Sequence, residues 1–231
     1  GGRTATFMGL KSIPSCAEAI LVERDIRLVK MTGARWHAAH LSTRDALDTI
    51  RRAKNDGLNV TAGTAPHYHA LNDLELGEYR TFARVSPPLR EEEERLAVIE
   101  AIRDGTIDVI SSQHLPQSAD SKRVPFAQAK PGVIGLETML PVSLRLYHNG
   151  DVNLLRLLHT MTAAPAELLG LEAGRLRMGA DADIILFDTE RPWQVDGDLL
   201  KSKSKNTAFD GHLLQGRVLK TFVRGTPVFE L

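Results

Sequence analysis

The chain has 231 residues, 42% of them hydrophobic and 25% charged, with 29 Lys+Arg balancing 29 Asp+Glu. That composition suits a globular protein with a sizeable core, and without a basic block it offers no electrostatic footprint for nucleic acid or a membrane surface. Cys16 is the lone cysteine, which excludes a disulfide framework or cysteine-rich metal cluster and points to a reducing, cytoplasmic setting; no stretch nears the roughly 20 apolar residues of a membrane span.

From Ser15 onward, Ala19, Ile20, Val22, Ile26, Val29 and Met31 recur at helical spacing, and Gly33 is placed to stop the helix. Arg35 to Leu41 reads as a strand, followed at Ser42 by an N-cap candidate with Asp45 three residues on. The helix so started carries Ala46, Leu47, Ile50 and Ala53 on one face and ends in the turn Asn55-Asp56-Gly57. Leu58 to Gly63 is the next strand, running into Pro66-His67-Tyr68-His69. A long connection through Pro87-Pro88 leads to a helix with Glu91 to Glu94 at its positive dipole end and Leu96, Val98, Ile99 and Ile102 on its buried side. After Asp104-Gly105, the strand Asp108-Val109-Ile110 stops at Ser111-Ser112-Gln113-His114. This alternation signals parallel βαβ units with right-handed crossovers, which place their chemistry at the carboxyl ends of the strands.

Beyond Lys130-Pro131-Gly132 a helix covers Leu136 to Tyr147, where Pro141 marks a kink or the true first turn, and Leu154 to Met161 and Pro165 to Leu171 are two more. Gly174 to Asp188 and Gly216 to Glu230 then read as strand pairs turning at Gly179 and Gly225. The chain therefore divides near Ala173 into an α/β part, residues 1–172, and a small β module, residues 173–231. It begins without Met, so a fragment or processed product is expected.

His40, His67 and His114 fall at the ends of three successive strands. Side-chain alternation puts His37 and His40 on opposite faces, so that one of the two can face the interior. Neutral imidazoles converging from strand ends suit a borderline ion such as Zn²⁺, although each can equally be a hydrogen-bonded structural residue. No His-Glu-x-x-His, Gly-x-Ser-x-Gly or phosphate-cradling loop is present.

His37-Ala38-Ala39-His40-Leu41-Ser42-Thr43, Pro66-His67, Ser86-Pro87-Pro88-Leu89-Arg90, Gln113-His114-Leu115-Pro116 and the run from Pro131 to Thr138 resemble, in order and separation, motifs of dihydroorotases. The tail, with Gly179-Ala180-Asp181-Ala182-Asp183-Ile184-Ile185 and Gly216-Arg217-Val218, is similar to the closing segment of the amidohydrolase superfamily. The resemblance covers nearly the whole chain and extends to hydantoinases and allantoinases. It implies the C-terminal half of a metal-dependent (β/α)₈ TIM-type barrel with a small β-sandwich, and reversible hydrolysis of dihydroorotate to carbamoyl aspartate in pyrimidine biosynthesis. In that family one or two zinc ions polarise the ring carbonyl and lower the pKa of a bound water, while an aspartate shuttles the proton. Carried over by position, His40 and His67 would be metal ligands and Gly132 would lie near the substrate ring.

The sequence departs from the family pattern where it matters most. Gln113 stands in place of the catalytic Asp, and a neutral amide neither accepts that proton nor ligates well. Ser86 replaces an Asn and Gln117 a His at substrate-contacting positions, and both keep hydrogen-bonding ability. The first-strand His-x-His pair and the bridging Lys or Asp have no counterpart. By this resemblance the chain starts roughly four strands into the barrel, its open edges need the missing half or a homo-oligomer partner, and alone it is inactive. The alternatives are a catalytically silent dihydroorotase-like assembly partner, or another cyclic amidase such as a hydantoinase or allantoinase.

Overall fold

The computed structural model describes residues 2–231. In chain order the elements are α1 (Arg3–Phe7), α2 (Ser15–Thr32), β1 (Trp36–Ala38), α3 (Arg44–Asn55), β2 (Val60–Thr64), α4 (Pro66–Ala70), α5 (Glu92–Asp104), β3 (Val109–Ile110), α6 (Ala119–Lys122), α7 (Met139–His148), α8 (Leu154–Met161), α9 (Ala163–Leu169), β4 (Ile184–Gln194), β5 (Leu213–Val223) and β6 (Thr226–Glu230). The fold is α/β: β1, β2 and β3 form a parallel sheet in that order, with Trp36 opposite Val60, Ala38 opposite Ala62 and Thr64 opposite Ile110. α3 and α5 are the crossovers that parallel pairing requires.

The core grows from the stripes the periodicity marks. Ala46, Leu47 and Ile50 of α3, Val98 and Ile102 of α5, Val142 and Leu144 of α7 and Leu157 of α8 are essentially inaccessible. α2 buries Ala19, Val22, Ile26 and Val29, but Ile20 and Met31, expected on the same face, are 63% and 81% exposed. Leu96, expected on the buried side of α5, is also exposed. A stripe wider than one neighbouring helix can cover leaves its margins in solvent.

Two local expectations change. The N-cap of α3 is Thr43, without a side-chain cap, because the Ser42 and Thr43 hydroxyls both donate to Glu18 of α2 instead. Pro141 lies in the first turn of α7, so it starts the helix and does not kink it.

The C-terminal module is a single antiparallel sheet in the order β4-β5-β6. β4 pairs with β5 and not across Gly179, whereas the hairpin at Gly225 forms between β5 and β6 as expected. Among the described residues there is no second layer to make a sandwich. The sheet seats on α7 at Gly216, where an added Cβ would collide with Leu144 Cδ1. Trp193 Nε1 donates to the Gly216 carbonyl at 3.1 Å, and the Arg217 guanidinium stacks on the Trp193 ring at 4.3 Å. Val195, Phe209 and Leu214 thereby join the same apolar core as the helices. No helix among the described residues is long and apolar enough to cross a membrane.

Candidate functional site

β1 stops at Ala38, so the alternation that would separate His37 from His40 does not extend to His40. His37 Nδ1 lies 2.8 Å from the hydroxyl of Thr61, its register partner, and His40 Nε2 lies 3.2 Å from the Ser111 hydroxyl just past β3. Burial holds both imidazoles below their ordinary range and favours the neutral form. The loop that carries His40 is fastened on three sides. Leu41 N donates to the Gly63 carbonyl at 2.9 Å, and Thr64 Oγ1 donates to the Leu41 carbonyl at 3.0 Å. Glu18 accepts from the backbone N–H of Ser42 and of Thr43 at 2.8 and 3.0 Å. Arg90, from the Pro-Pro-Leu-Arg motif, completes the joint by donating to Ser42 Oγ at 3.3 Å and to the Ile13 carbonyl at 2.6 Å.

His67 sits on α4, which begins with Pro66 directly after β2. It is 2% exposed, its Nε2 has no hydrogen-bond partner, and burial, aided by His40 nearby, pulls its pKa down to about 3. His69 is equally buried, with Nδ1 unpartnered and Nε2 3.4 Å from Ser143 Oγ.

Gln113 adopts φ 43°, a left-handed conformation uncommon outside glycine. Its side chain lies beside His67 and Tyr68. Its Nε2 donates to the Ser86 carbonyl at 2.8 Å, while its Oε1 is buried without a partner. Tyr68 donates to the Pro87 carbonyl at 2.8 Å, and burial pushes its phenol well above the usual range. The strand ends thus bring His40, His67, Gln113 and Ser86 together.

The other predicted residues lie one loop over. Gln117 Nε2 donates to the Pro131 carbonyl at 3.1 Å. Gly132 has φ 126°, its N–H donates to the Arg84 carbonyl at 2.9 Å, and its carbonyl accepts from Asn206 Nδ2 at 3.0 Å. An added Cβ there would meet Leu115 O at 2.7 Å, which requires glycine. His114 does not join His40 and His67 as expected: its Nδ1 accepts from the Gly135 N–H at 3.2 Å, and a parallel bridge to Val133 holds its backbone.

Among the described residues no trio of His, Cys, Asp or Glu is placed to hold a metal, so the expected convergence of three imidazoles is not formed. The residues present fit part of a zinc site. His67 Nε2 is a buried, unpartnered nitrogen of a neutral imidazole, which presents a lone pair in the Nδ1–H tautomer, and His40 is its neutral neighbour. A four-coordinate ion needs donors beyond these two. Sequence reasoning passed over Glu18, Arg90, Ser111 and His69. Ser111 lies inside the stretch that marked the site, whereas Glu18 acts across 24 residues, beyond any local pattern.

The amidohydrolase family model matches residues 10–228. The chain is 43% identical to the dihydroorotase of Anaplasma phagocytophilum over 229 residues, which are 99% of this chain and 51% of that protein. It is 45% identical to the dihydroorotase of Pelobacter propionicus over 228 residues, 99% of this chain and 54% of that protein. Among solved structures, the L-hydantoinase (dihydropyrimidinase) of Arthrobacter aurescens superposes with a TM-score of 0.90 at 30% identity, covering 94% of this chain and 49% of that one. The dihydropyrimidinase of Brevibacillus agri shares the fold, with a TM-score of 0.90 at 24% identity over 99% of this chain and 53% of that one. The chain spans about half the length of the relatives it matches. With the family pattern running from Leu10 to Val228 and dihydroorotases more than 40% identical over almost all of it, the chain belongs to the amidohydrolase family.

Proposed function

We propose that this chain forms the C-terminal half of a dihydroorotase-type (β/α)₈ barrel, whose activity is the reversible opening of the cyclic amide of dihydroorotate to carbamoyl aspartate. The observation that carries the reading is the pair of neutral imidazoles, His40 and His67, at the ends of adjacent parallel strands, with His67 Nε2 buried and unpartnered. Each would give one nitrogen to a zinc ion whose remaining ligands lie in the length of the relatives that this chain does not span. When bound, the ion supplies Lewis acidity toward the amide carbonyl. The chain's own residues bind and orient: the Ser86 hydroxyl and Gln117 Oε1 offer hydrogen bonds to the ring, the Gly132 carbonyl keeps a second lone pair beyond the one given to Asn206, and the Tyr68 and Pro87 contact braces the segment behind Ser86. Gln113 cannot take up a proton, and His40 and His67 are two of the donors that a four-coordinate ion needs, so the half-barrel alone is inactive.

The same missing length, or a second copy of the chain, would cover the open edges of β1 and β3 and add the second layer of a β-sandwich to residues 173–231, leaving residues 1–172 as the barrel segment. The lone Cys16 fits a cytoplasmic setting. A second reading, a catalytically silent assembly partner, is favoured by the Gln113 amide already committed to Ser86.

Gln113→Asp decides between them, assayed in a protein that also carries the length of the relatives this chain does not span. Dihydroorotate hydrolysis that appears in the variant and rises with added zinc supports an otherwise competent site. Metal-loaded wild type and variant that both leave dihydroorotate and hydantoin untouched would sink the enzymatic reading. Hydantoin turnover alone would point to the hydantoinase reading that the Arthrobacter superposition raises.

A further inference from the structure

Next to the candidate site, and touching it at Ser86, lies a cavity of about 460 Å³ between the segment before α2, the turn at Asp73–Leu76 and the chain around Val85 and Phe126. This is room for a small organic molecule. Much of the wall is apolar, with Leu10, Ile13, Leu76, Val85 and Leu89 prominent.

Half of the six charges on the wall are committed. Arg90 is engaged by the Ile13 carbonyl and paired with Glu18 at 3.9 Å. Glu91 accepts from Arg3 N at 2.9 Å, and Glu94 accepts from Arg44 N. Three carry no ion pair among the described residues: Lys11, which is exposed to solvent, and the opposite charges Asp73 and Arg84. Asp73 is 8% exposed and its backbone N–H is used by the Arg90 carbonyl, but its carboxylate has no hydrogen-bond or ion-pair partner among the described residues. Arg84 donates to the Phe126 carbonyl and stacks on that ring at 5.5 Å, yet forms no ion pair among the described residues.

The positive end is stronger than Arg84 alone. Lys122, 2% exposed, places Nζ at 3.1 and 3.3 Å from the Thr81 and Arg84 carbonyls and has no carboxylate partner among the described residues. Burial and the Arg84 charge lower its pKa to about 8, as expected where positive charge lacks a counter-ion. A carboxylate on a largely buried residue and a half-buried guanidinium stand on one apolar-walled cavity without an ion pair, and one zwitterion would pair with both.

We propose that this cavity binds a small apolar α-amino acid, its ammonium at Asp73, its carboxylate at Arg84 and its side chain against Leu76 and Val85. The inference stands apart from the reading of His40 and His67.

Isothermal titration of the protein as expressed with L-leucine tests it, beside 3-methylbutylamine, which lacks the carboxylate, and 4-methylpentanoate, which lacks the amine. Saturable one-to-one binding of leucine is expected, at least tenfold weaker for each single-charge analogue and for leucine on Asp73→Asn. No saturable leucine binding, or either analogue binding as tightly as leucine, overturns the proposal, as does Asp73→Asn with unchanged affinity. Should Asp73→Asn lose its circular dichroism signal, Ala127→Trp places an indole on the wall from an exposed position. Leucine binding should then fall at least tenfold in a folded protein, and full retention of it counts against the proposal.

Discussion

Glu18 does from a neighbouring helix what an N-cap side chain does locally: its carboxylate accepts two backbone N–H groups and two hydroxyls at the start of α3. The side chain is 12% exposed and its partner Arg90 9%. Glu18→Ala leaves four donors and a buried guanidinium without their acceptor, so a stability loss of about 3 kcal/mol is expected in urea unfolding. The Ser42 and Asp45 pattern suggested a self-capped helix because a local signal cannot register an acceptor that tertiary packing delivers. By contrast, His40 and His67 were legible, since each follows directly from where a strand stops. Lys122 adds a pH dependence. Its folded pKa of about 8 lies below the unfolded 10.5, so between those values the unfolded chain binds more protons and stability rises with pH. Subtracting the unfolding free energy of Lys122→Met from that of the wild type, point by point in pH, should give a difference that climbs in favour of the wild type across this window. A flat difference would show that the amine is not shifted in the fold.

At the level of elements, the seat of the C-terminal sheet on α7 is set by one missing side chain. Gly216 has φ 106°, and a Cβ there would press on Leu144 Cδ1. Gly216→Ala should therefore lower stability by about 2 kcal/mol, and combining it with Leu144→Ala should cost less than the sum of the two single changes, as read from thermal melts. The helices were legible because apolar spacing survives in any context: Leu154–Met161 has the bounds its pattern indicates. The pairing of β4 was not. Gly174 to Asp183 offers turn residues and acidic alternation that mimic a hairpin, but β4 finds its partner some 30 residues on, in β5, a choice made by the core beneath Leu214 and Val195.

For the molecule as a whole, the unpaired edge of β1 and the outward row Leu21, Leu28 and Met31 of α2, 53%, 50% and 81% exposed, lie on elements consecutive in the chain. Apolar residues spaced this way on a helix already packed by its other side are suited to a further helix. The isolated 231-residue chain is expected to self-associate at micromolar concentration, and Leu28→Lys with Met31→Lys to shift it toward the monomer in light scattering. An unchanged mass distribution would assign association to other surfaces.

Gln113 gives the arrangement an unequal reversibility. Its amide N–H holds the Ser86 carbonyl, a bond that an aspartate, having no donor when ionised, cannot make. An aspartate does, however, tolerate a positive φ better than glutamine. Exchange at this one position therefore trades a strut for a proton carrier. The variant best placed to regain chemistry relaxes its own backbone while it unfastens the segment from Ser86 to Arg90, which also anchors the loop of His40. Any gain in turnover there will be drawn against the precision with which the first imidazole is held.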